Sequence, residues 1–166
     1  MEVVEASLEL REQIREYASE CFKGGMLRYA TAVEDLDAFV EEVMTRSQAT
    51  VEPDNDVLPS TTYYCLKDNE ILGSIRVRRG TNARVENVIG HVGYDTKPSA
   101  RGKGVATYLL GWVKDNVLTQ PAIVTCSIHN PASRNVIESC GGVFLGGYHD
   151  SVEGELRRYQ LGKVQN

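Results

Sequence analysis

Hydrophobic and polar positions along the 166-residue chain follow two different periods. In the first third the period is helical. Leu10, Ile14, Tyr17, Ala18, Cys21 and Phe22 share one face of an amphipathic helix, with Ser7 as its N-cap and Gly24 and Gly25 stopping it after about Phe22. Thr31 and Glu34 form a capping box, which predicts a second helix with Leu36, Phe39, Val40, Val43 and Met44 on one face. Met1 to Glu5 reads as a short first strand, and about Gln48 to Ser60, with Pro53, Asp54, Asn55, Asp56 and Pro59, as a loop.

From Thr61 the period shortens to two. Thr61 to Lys67 and Ile71 to Arg78 read as a hairpin turned at Asp68-Asn69, and Asn87 to Tyr94 as a fourth strand. Gly90 and Gly93 inside that strand mark a bulge or the close approach of another backbone. Val105, Tyr108, Leu109, Trp112, Val113 and Val117 return to helical spacing behind Pro98, Gly102 and Gly104. Ala122 to Ile128 is nearly continuous apolar sequence, as in a strand buried on both faces, and the helix before it implies a parallel crossover. Asn130 as N-cap, Pro131 at the first position and Gly141 past the end bracket a short helix. Two strands, Val143 to Tyr148 and Glu155 to Leu161, close the chain. The order βααβββαβαββ is an α+β architecture, and 166 residues suit a single domain spanning 1–166.

Composition narrows the class. With 42% hydrophobic and 25% charged residues, collagenous, disordered and coiled-coil proteins lose support. No run reaches the roughly 18 apolar residues of a membrane span. Residues 1–20 carry six acids against Arg11 and Arg15, unlike a secretory signal, so a cytoplasmic protein is expected. The cysteines Cys21, Cys65, Cys126 and Cys140 form no Cys-x-x-Cys pair and read as buried thiols. Cys126 and His129 alone fall short of a zinc set, so no metal is expected. A pI near 5.3 disfavours nucleic acid; Arg76, Arg78, Arg79 and Arg84 are the one candidate patch, without interleaved aromatics. Residues 1–60 hold 14 acids and 5 bases, residues 61–166 hold 9 and 13. That split is compatible with a solvated surface, or with a cationic partner toward the N-terminal part and an anionic small molecule toward the rest.

The string Ser99-Ala100-Arg101-Gly102-Lys103-Gly104-Val105-Ala106 stands where the fourth strand passes into a helix. Unpaired backbone N–H groups at a helix start form an anion site when the chain can come close, which Gly102 and Gly104 permit. The string lacks the Gly-Lys-Ser/Thr ending of a P-loop, and Thr107 stands where a dinucleotide fingerprint needs its third glycine. It resembles the pyrophosphate loop of the GNAT superfamily of acyl-CoA-dependent N-acyltransferases, Gln/Arg-x-x-Gly-x-Gly/Ala, matched by Arg101, Gly104 and Ala106. Asn130-Pro131-Ala132-Ser133 followed by Gly142-Val143-Phe144 resembles that family's second block. Gly90-His91-Val92-Gly93-Tyr94, Arg76-Val77-Arg78 and Arg157-Arg158-Tyr159 are similar to a bacterial branch of predicted acetyltransferases.

The resemblance implies a mostly antiparallel twisted sheet of about seven strands with about four helices, and a central parallel pair splayed at the cofactor site. It implies acetyl-CoA as co-substrate, with the amides of Gly102, Lys103, Gly104, Val105 and Ala106, beside Arg101, on the pyrophosphate. Backbone near Tyr94 and Thr96 would meet the pantetheine arm, and Asn130 and Ser133 would line the far side. The implied reaction is direct attack by a primary amine, on a small molecule or a protein N-terminus. A lysine-like amine at pKa ~10.4 is mostly protonated at neutral pH and an α-amine at ~7.7–8.0 less so, so a base or water chain must take a proton. His91 and Glu86 are the candidates; the alternatives are a hydrogen-bonded sheet histidine and a solvated strand-end glutamate. Ile137 stands where many members place a tyrosine that protonates the leaving thiolate, which leaves Tyr148, Tyr108 or solvent. Cys126 in its apolar strand reads as an inert thiol rather than a covalent nucleophile. The alternative function, motivated by Ile137, is a non-catalytic coenzyme A or acyl-CoA sensor or regulatory module. A homodimer is common for such folds, although no apolar stripe in the pattern marks its surface.

Overall fold

The structure, a computed structural model, describes residues 1–53 and 56–162. Asp54 and Asn55 of the expected loop lie outside the described residues. The strands are β1 (Glu2–Glu5), β2 (Ser60–Lys67), β3 (Glu70–Arg78), β4 (Val92–Thr96), β5 (Ala122–Ser127), β6 (Val143–Asp150) and β7 (Gly154–Leu161). The helices are α1 (Arg11–Lys23), α2 (Ala30–Glu34), α3 (Leu36–Gln48), α4 (Val105–Asn116) and α5 (Pro131–Ser139). The strands form two antiparallel sheets, ordered β1-β2-β3-β4 and β5-β7-β6.

Alternation along β2 and β3 sends side chains into two cores. Tyr64, Leu66 and Ile71 pack with Ile14, Tyr17, Ala18 and Cys21 of α1 and with Leu36 and Val40 of α3. Cys65, Ile75 and Val77 join Leu109, Leu110 and Val113 of α4, together with Val124, Ile137 and Tyr159, in the other core. The first sheet is thus covered on both faces, by α1 and α3 on one side and α4 on the other. The hairpin turns where expected. Asp68 and Asn69 take φ of 52° and 63°, the paired left-handed conformations of a tight turn matched to strand twist.

Four expectations need correction. Thr31 lies inside α2 and caps nothing; the chain turns extended at Asp35, whose carboxylate accepts from the Ala38 N–H at 3.1 Å and starts α3 afresh. Five helices therefore stand where about four were expected. Ser7 is extended, makes no side-chain cap bond, and precedes a single 3-10 turn, Leu8–Leu10, that leads into α1. Residues 87–91 are not strand. Asn82 Oδ1 accepts from the Val85 N–H at 2.9 Å and opens a helical turn, Val85–Ile89, which Gly90 ends at φ 74°. Finally, β5 alternates between buried and half-buried positions rather than being buried on both faces: Val124 and Cys126 enter the core, while Ile123 and Thr125 point to the less covered face.

At the gap between the two sheets lies the central strand pair expected to splay at the cofactor site. β4 and β5 belong to separate sheets, joined at the start of β4 by one backbone hydrogen bond, His91 N–H to Ile123 O at 2.7 Å. At Gly90 the second sheet comes so close that a Cβ would lie 2.9 Å from the Ile123 carbonyl oxygen, which accounts for a glycine there. Beyond His91 the two strands part.

Candidate active site

Helix α4 begins at Val105 behind Gly104, whose φ is 79°, and no side chain caps it. Gly102 is likewise left-handed at φ 75°, and nothing lies within 4 Å of where a Cβ would stand on either glycine. The space beside both glycines is therefore open. The first-turn N–H groups of this 12-residue helix have no intrahelical acceptor and sit at the positive end of its dipole. They border a cavity of about 740 Å³ between β4, the loop and α5. Its volume lies in the usual range for small-molecule sites.

This cavity brings together Tyr94, Thr96, Arg101, Gly102, Gly104, Val105, Ala106, Asn130 and Ser133. Lys103 is exposed and does not line it. Asn130 accepts from the Ser133 N–H at 3.1 Å and so fixes the start of α5. Across the cleft the Tyr94 hydroxyl lies 2.6 Å from Ser133 Oγ, joining β4 to α5. Burial raises the Tyr94 phenol to about 12, against the opposing pull of the Ser133 hydrogen bond. Glu20 of α1 holds the segment before the loop, accepting from the Ser99 N–H at 2.9 Å and from its hydroxyl. Burial would raise the Glu20 carboxyl, but the Ser99 bonds prevail and keep it below its ordinary value.

His91 and Glu86 are elsewhere. Both line a second cavity of about 610 Å³ with Arg79, Thr81 and residues 117–122, at the start of β4 rather than at its end. The five residue steps from His91 to Thr96 span about 16 Å in a strand. Both imidazole nitrogens are engaged: Nδ1 accepts from the Ile123 N–H at 2.9 Å, so the proton is on Nε2, which lies 3.0 Å from Thr81 Oγ1. Burial, together with the charge of Arg78, lowers the His91 pKa despite Glu86 nearby. The geometry therefore matches the hydrogen-bonded sheet histidine rather than a base facing the cleft. Of the tyrosines weighed as acids, Tyr108 donates to the Met1 carbonyl at 2.9 Å and Tyr148 lies exposed on β6. Ile137 is fully buried in the core, and Cys126 is buried with its thiol pKa raised by desolvation.

Asp95 is the residue the sequence reading missed. It lines the cleft between Tyr94 and Thr96, yet its carboxylate is only 11% exposed. One oxygen accepts from the Tyr17 hydroxyl, from the Tyr29 hydroxyl at 2.7 Å and from Ser74 Oγ at 3.0 Å; the other meets Arg76 at 2.9 Å and Arg28 at 3.5 Å. Burial pushes the Asp95 carboxyl up, but Arg76, Arg28 and the two phenols prevail and hold it below the usual range. With its lone pairs so occupied, Asp95 is an anchor rather than a base. An aspartate inside a strand, where that residue is depleted, was the available signal. Among the described residues no group of three His, Cys, Asp or Glu could hold a metal ion, and no helix is long and apolar enough to cross a membrane.

Residues 12–143 match the family model for the acetyltransferase (GNAT) domain, and the chain belongs to that family. No curated protein matches the sequence. Among solved structures, the fold is similar to that of the microcin C7 self-immunity acetyltransferase MccE in complex with acetyl-CoA and AMP. The identity is 18%, the match covers 99% of this chain and 93% of that one, and the TM-score is 0.68. The ribosomal L7/L12 alpha-N-protein acetyltransferase RimL in complex with coenzyme A gives 13% identity, coverages of 95% and 91%, and a TM-score of 0.68. A variant of the spermidine N-acetyltransferase SpeG from Vibrio cholerae gives 14%, 97% and 94%, and 0.65. At these identities the likeness establishes the shared fold.

Proposed function

We propose that the protein is an acetyl-CoA-dependent N-acetyltransferase that passes the acetyl group directly to a primary amine. The observation that carries this reading is the uncapped start of α4 behind two left-handed glycines, opening onto the cleft where β4 and β5 part. Such a helix start suits the pyrophosphate of coenzyme A, with Arg101 adding charge beside it. The parted strands leave backbone groups of β4 near Tyr94 and Thr96 without a neighbouring strand, so an extended pantetheine arm can join the sheet edge. Asn130 and Ser133 form the opposite wall. Fold relatives solved with acetyl-CoA or coenzyme A, in a family defined by acetyl transfer, support the choice of donor.

In the reaction the amine nitrogen attacks the thioester carbonyl carbon, the carbon–sulfur bond breaks, and the proton lost by nitrogen reaches sulfur through solvent. The amine enters as its free base. His91 has no open nitrogen to offer it and Asp95 has no open lone pair. The thiolate needs little help, since a thiol near pKa ~8.5 is a good leaving group. Tyr94 is the one tyrosine lining the cleft among the described residues, and its hydroxyl supplies a hydrogen bond to the departing sulfur.

A thiol-release assay with acetyl-CoA and a broad amine panel tests this reading. Turnover with at least one primary amine, yielding the N-acetyl product by mass, is expected. The second reading, an acyl-CoA sensor, is favoured by the buried Ile137 and predicts saturable acetyl-CoA binding with no thiol release from any amine.

A further inference from the structure

A third cavity, of about 380 Å³, lies against α3 on the face of β3 and β4 that carries Asp95. Arg28, Arg46, Arg76 and Arg78 line it, with the Thr62 hydroxyl and the Glu42 carboxylate. Arg76 also pairs with Asp95, which lines the cleft, so this ion pair forms a wall common to the two cavities. Arg76 and Arg78 lie over Gly93, where a Cβ would stand 3.1 Å from one guanidinium and 3.6 Å from the other. Their charge is thereby set across the strand that borders the thioester slot.

The charges do not balance. Glu42 pairs with Arg46 at 2.7 Å, and Asp95 serves Arg76 and, at 3.5 Å, Arg28. Arg78 has no carboxylate partner among the described residues; its guanidinium donates to the Gly90 carbonyl at 3.0 Å. Burial, then Arg76, Arg28 and Arg46, lower the Arg78 pKa to about 10, which leaves it charged at neutral pH. Half-buried like charges repel, and a bound oxyanion relieves that repulsion with paired guanidinium hydrogen bonds. The many acids of the N-terminal part do not offset this, because Glu12, Glu16, Glu34, Asp37 and Glu41 are exposed and none lines the cavity. The arginine patch weighed for nucleic acid also divides: Arg79 binds the carbonyls of Arg46, Ser47 and Ala49 at the end of α3, leaving Arg76 and Arg78 to this cavity.

We infer that the acceptor amine carries a carboxylate or phosphate group and that Arg28, Arg46, Arg76 and Arg78 form the pocket receiving it. This rests on the acetyl-transfer reading for the amine and stands on its own for the anion. Asp95 and Gly93, two positions apart on one strand face, are about 7 Å apart, so the arginine pocket and the cleft border the same short stretch of β4. The charge split along the chain is compatible with a cationic partner toward the N-terminal part; the arginines of this pocket favour an anionic group instead.

The test compares O-phosphoethanolamine with ethanolamine, and L-aspartate with its diamide, by thiol release at saturating acetyl-CoA. Amidation lowers the amine pKa and favours the diamide intrinsically, so a preference for the acid must come from the protein. The expected result is kcat/KM at least tenfold higher for one anionic member over its uncharged partner, with the phosphate and carboxylate pairs separating the two sources. In Arg78→Gln that ratio falls about tenfold, through KM rather than kcat. A parallel thermal-shift titration with malonate and inorganic phosphate, coenzyme A being saturating, reads anion binding without turnover. Equal use of uncharged and anionic amines, with no anion shift, overturns the inference while leaving acetyl transfer intact. An anion shift lost in Arg78→Gln, with no amine turned over, upholds the pocket and overturns the transfer reading. Silence in both assays overturns both.

Discussion

His91 and Ile123 exchange two hydrogen bonds: the His91 N–H donates to the Ile123 carbonyl at 2.7 Å, and the Ile123 N–H donates to His91 Nδ1 at 2.9 Å. The imidazole thus occupies the place a second backbone acceptor would hold, and the two sheets are tied at the point from which they diverge. Replacing His91 by Ala orphans the Ile123 N–H and should cost about 1–3 kcal/mol in denaturant unfolding. The tie is also sensitive to pH. Nδ1 accepts only when the ring is neutral, and the folded pKa lies below the ordinary ~6.5, so the unfolded chain binds the proton first. This contribution is complete above pH ~6.5 and is lost as pH falls from there through the lowered folded pKa. Melting temperatures at pH 7.5 and 5.5 should differ more for the wild type than for His91→Ala. An equal difference would show that His91 is not the group responsible.

Asp95 makes the opposite kind of demand. Its carboxylate is buried against Arg76, and in Asp95→Asn the guanidinium loses its charged partner, for an expected loss of about 3–5 kcal/mol. Tyr17→Phe removes one donor while the ion pair stays, and should cost about 1 kcal/mol. Because the folded pKa of Asp95 is depressed, its contribution is present above the unfolded value of ~3.9 and lost as pH falls through the folded one. Denaturant titrations of both variants check the order, and a larger loss in Tyr17→Phe would contradict it.

Turnover should follow the acceptor rather than the protein. With the amine entering as free base, kcat/KM rises with pH and levels off near the amine's own pKa. Changing to an amine of lower pKa moves the plateau down correspondingly. A break below pH ~6.5 that stays fixed across acceptors and vanishes in His91→Ala would restore His91 as the base.

Tyr94→Phe removes the hydroxyl aimed across the cleft at Ser133. A hydrogen bond to a charged sulfur is worth about 1.5–3 kcal/mol, so kcat should fall about 10–100-fold. The KM for acetyl-CoA should change far less. A rise in KM with kcat unchanged would assign Tyr94 to ground-state binding alone.

What could be read from the sequence was local. Asp68-Asn69 dictates its turn, and Asn130-Pro131 its helix start, from adjacent residues alone. The glycine loop was legible for the same reason, since left-handed backbone at Gly102 and Gly104 needs no distant partner. Asp35 was passed over because Thr31 and Glu34 satisfy the capping pattern one turn earlier, and only folding shows which of the two the helix uses. The site beyond the loop depends on contacts between distant segments. Tyr17 and Asp95 are 78 positions apart, and His91 reaches its Ile123 partner 32 positions on. Alternating Ser74, Arg76 and Arg78 read as a polar strand face; that this face closes over a buried carboxylate was beyond the reach of periodicity.

The central claim is that the start of α4 and the cleft beside it receive acetyl-CoA, and a thermal-shift titration tests it most directly. Acetyl-CoA at ~100 times its dissociation constant should stabilise the wild type by about 2.7 kcal/mol, a shift of about 5–10 °C for a chain of this length. Adenosine 3′,5′-bisphosphate and AMP serve as controls that lack the pantetheine arm. Gly104→Glu sets a carboxylate at the open helix start and strains a left-handed position, and should melt lower and lose the acetyl-CoA shift. A folded wild type that shows no shift at millimolar acetyl-CoA, or a Gly104→Glu variant that keeps the full shift, contradicts the account.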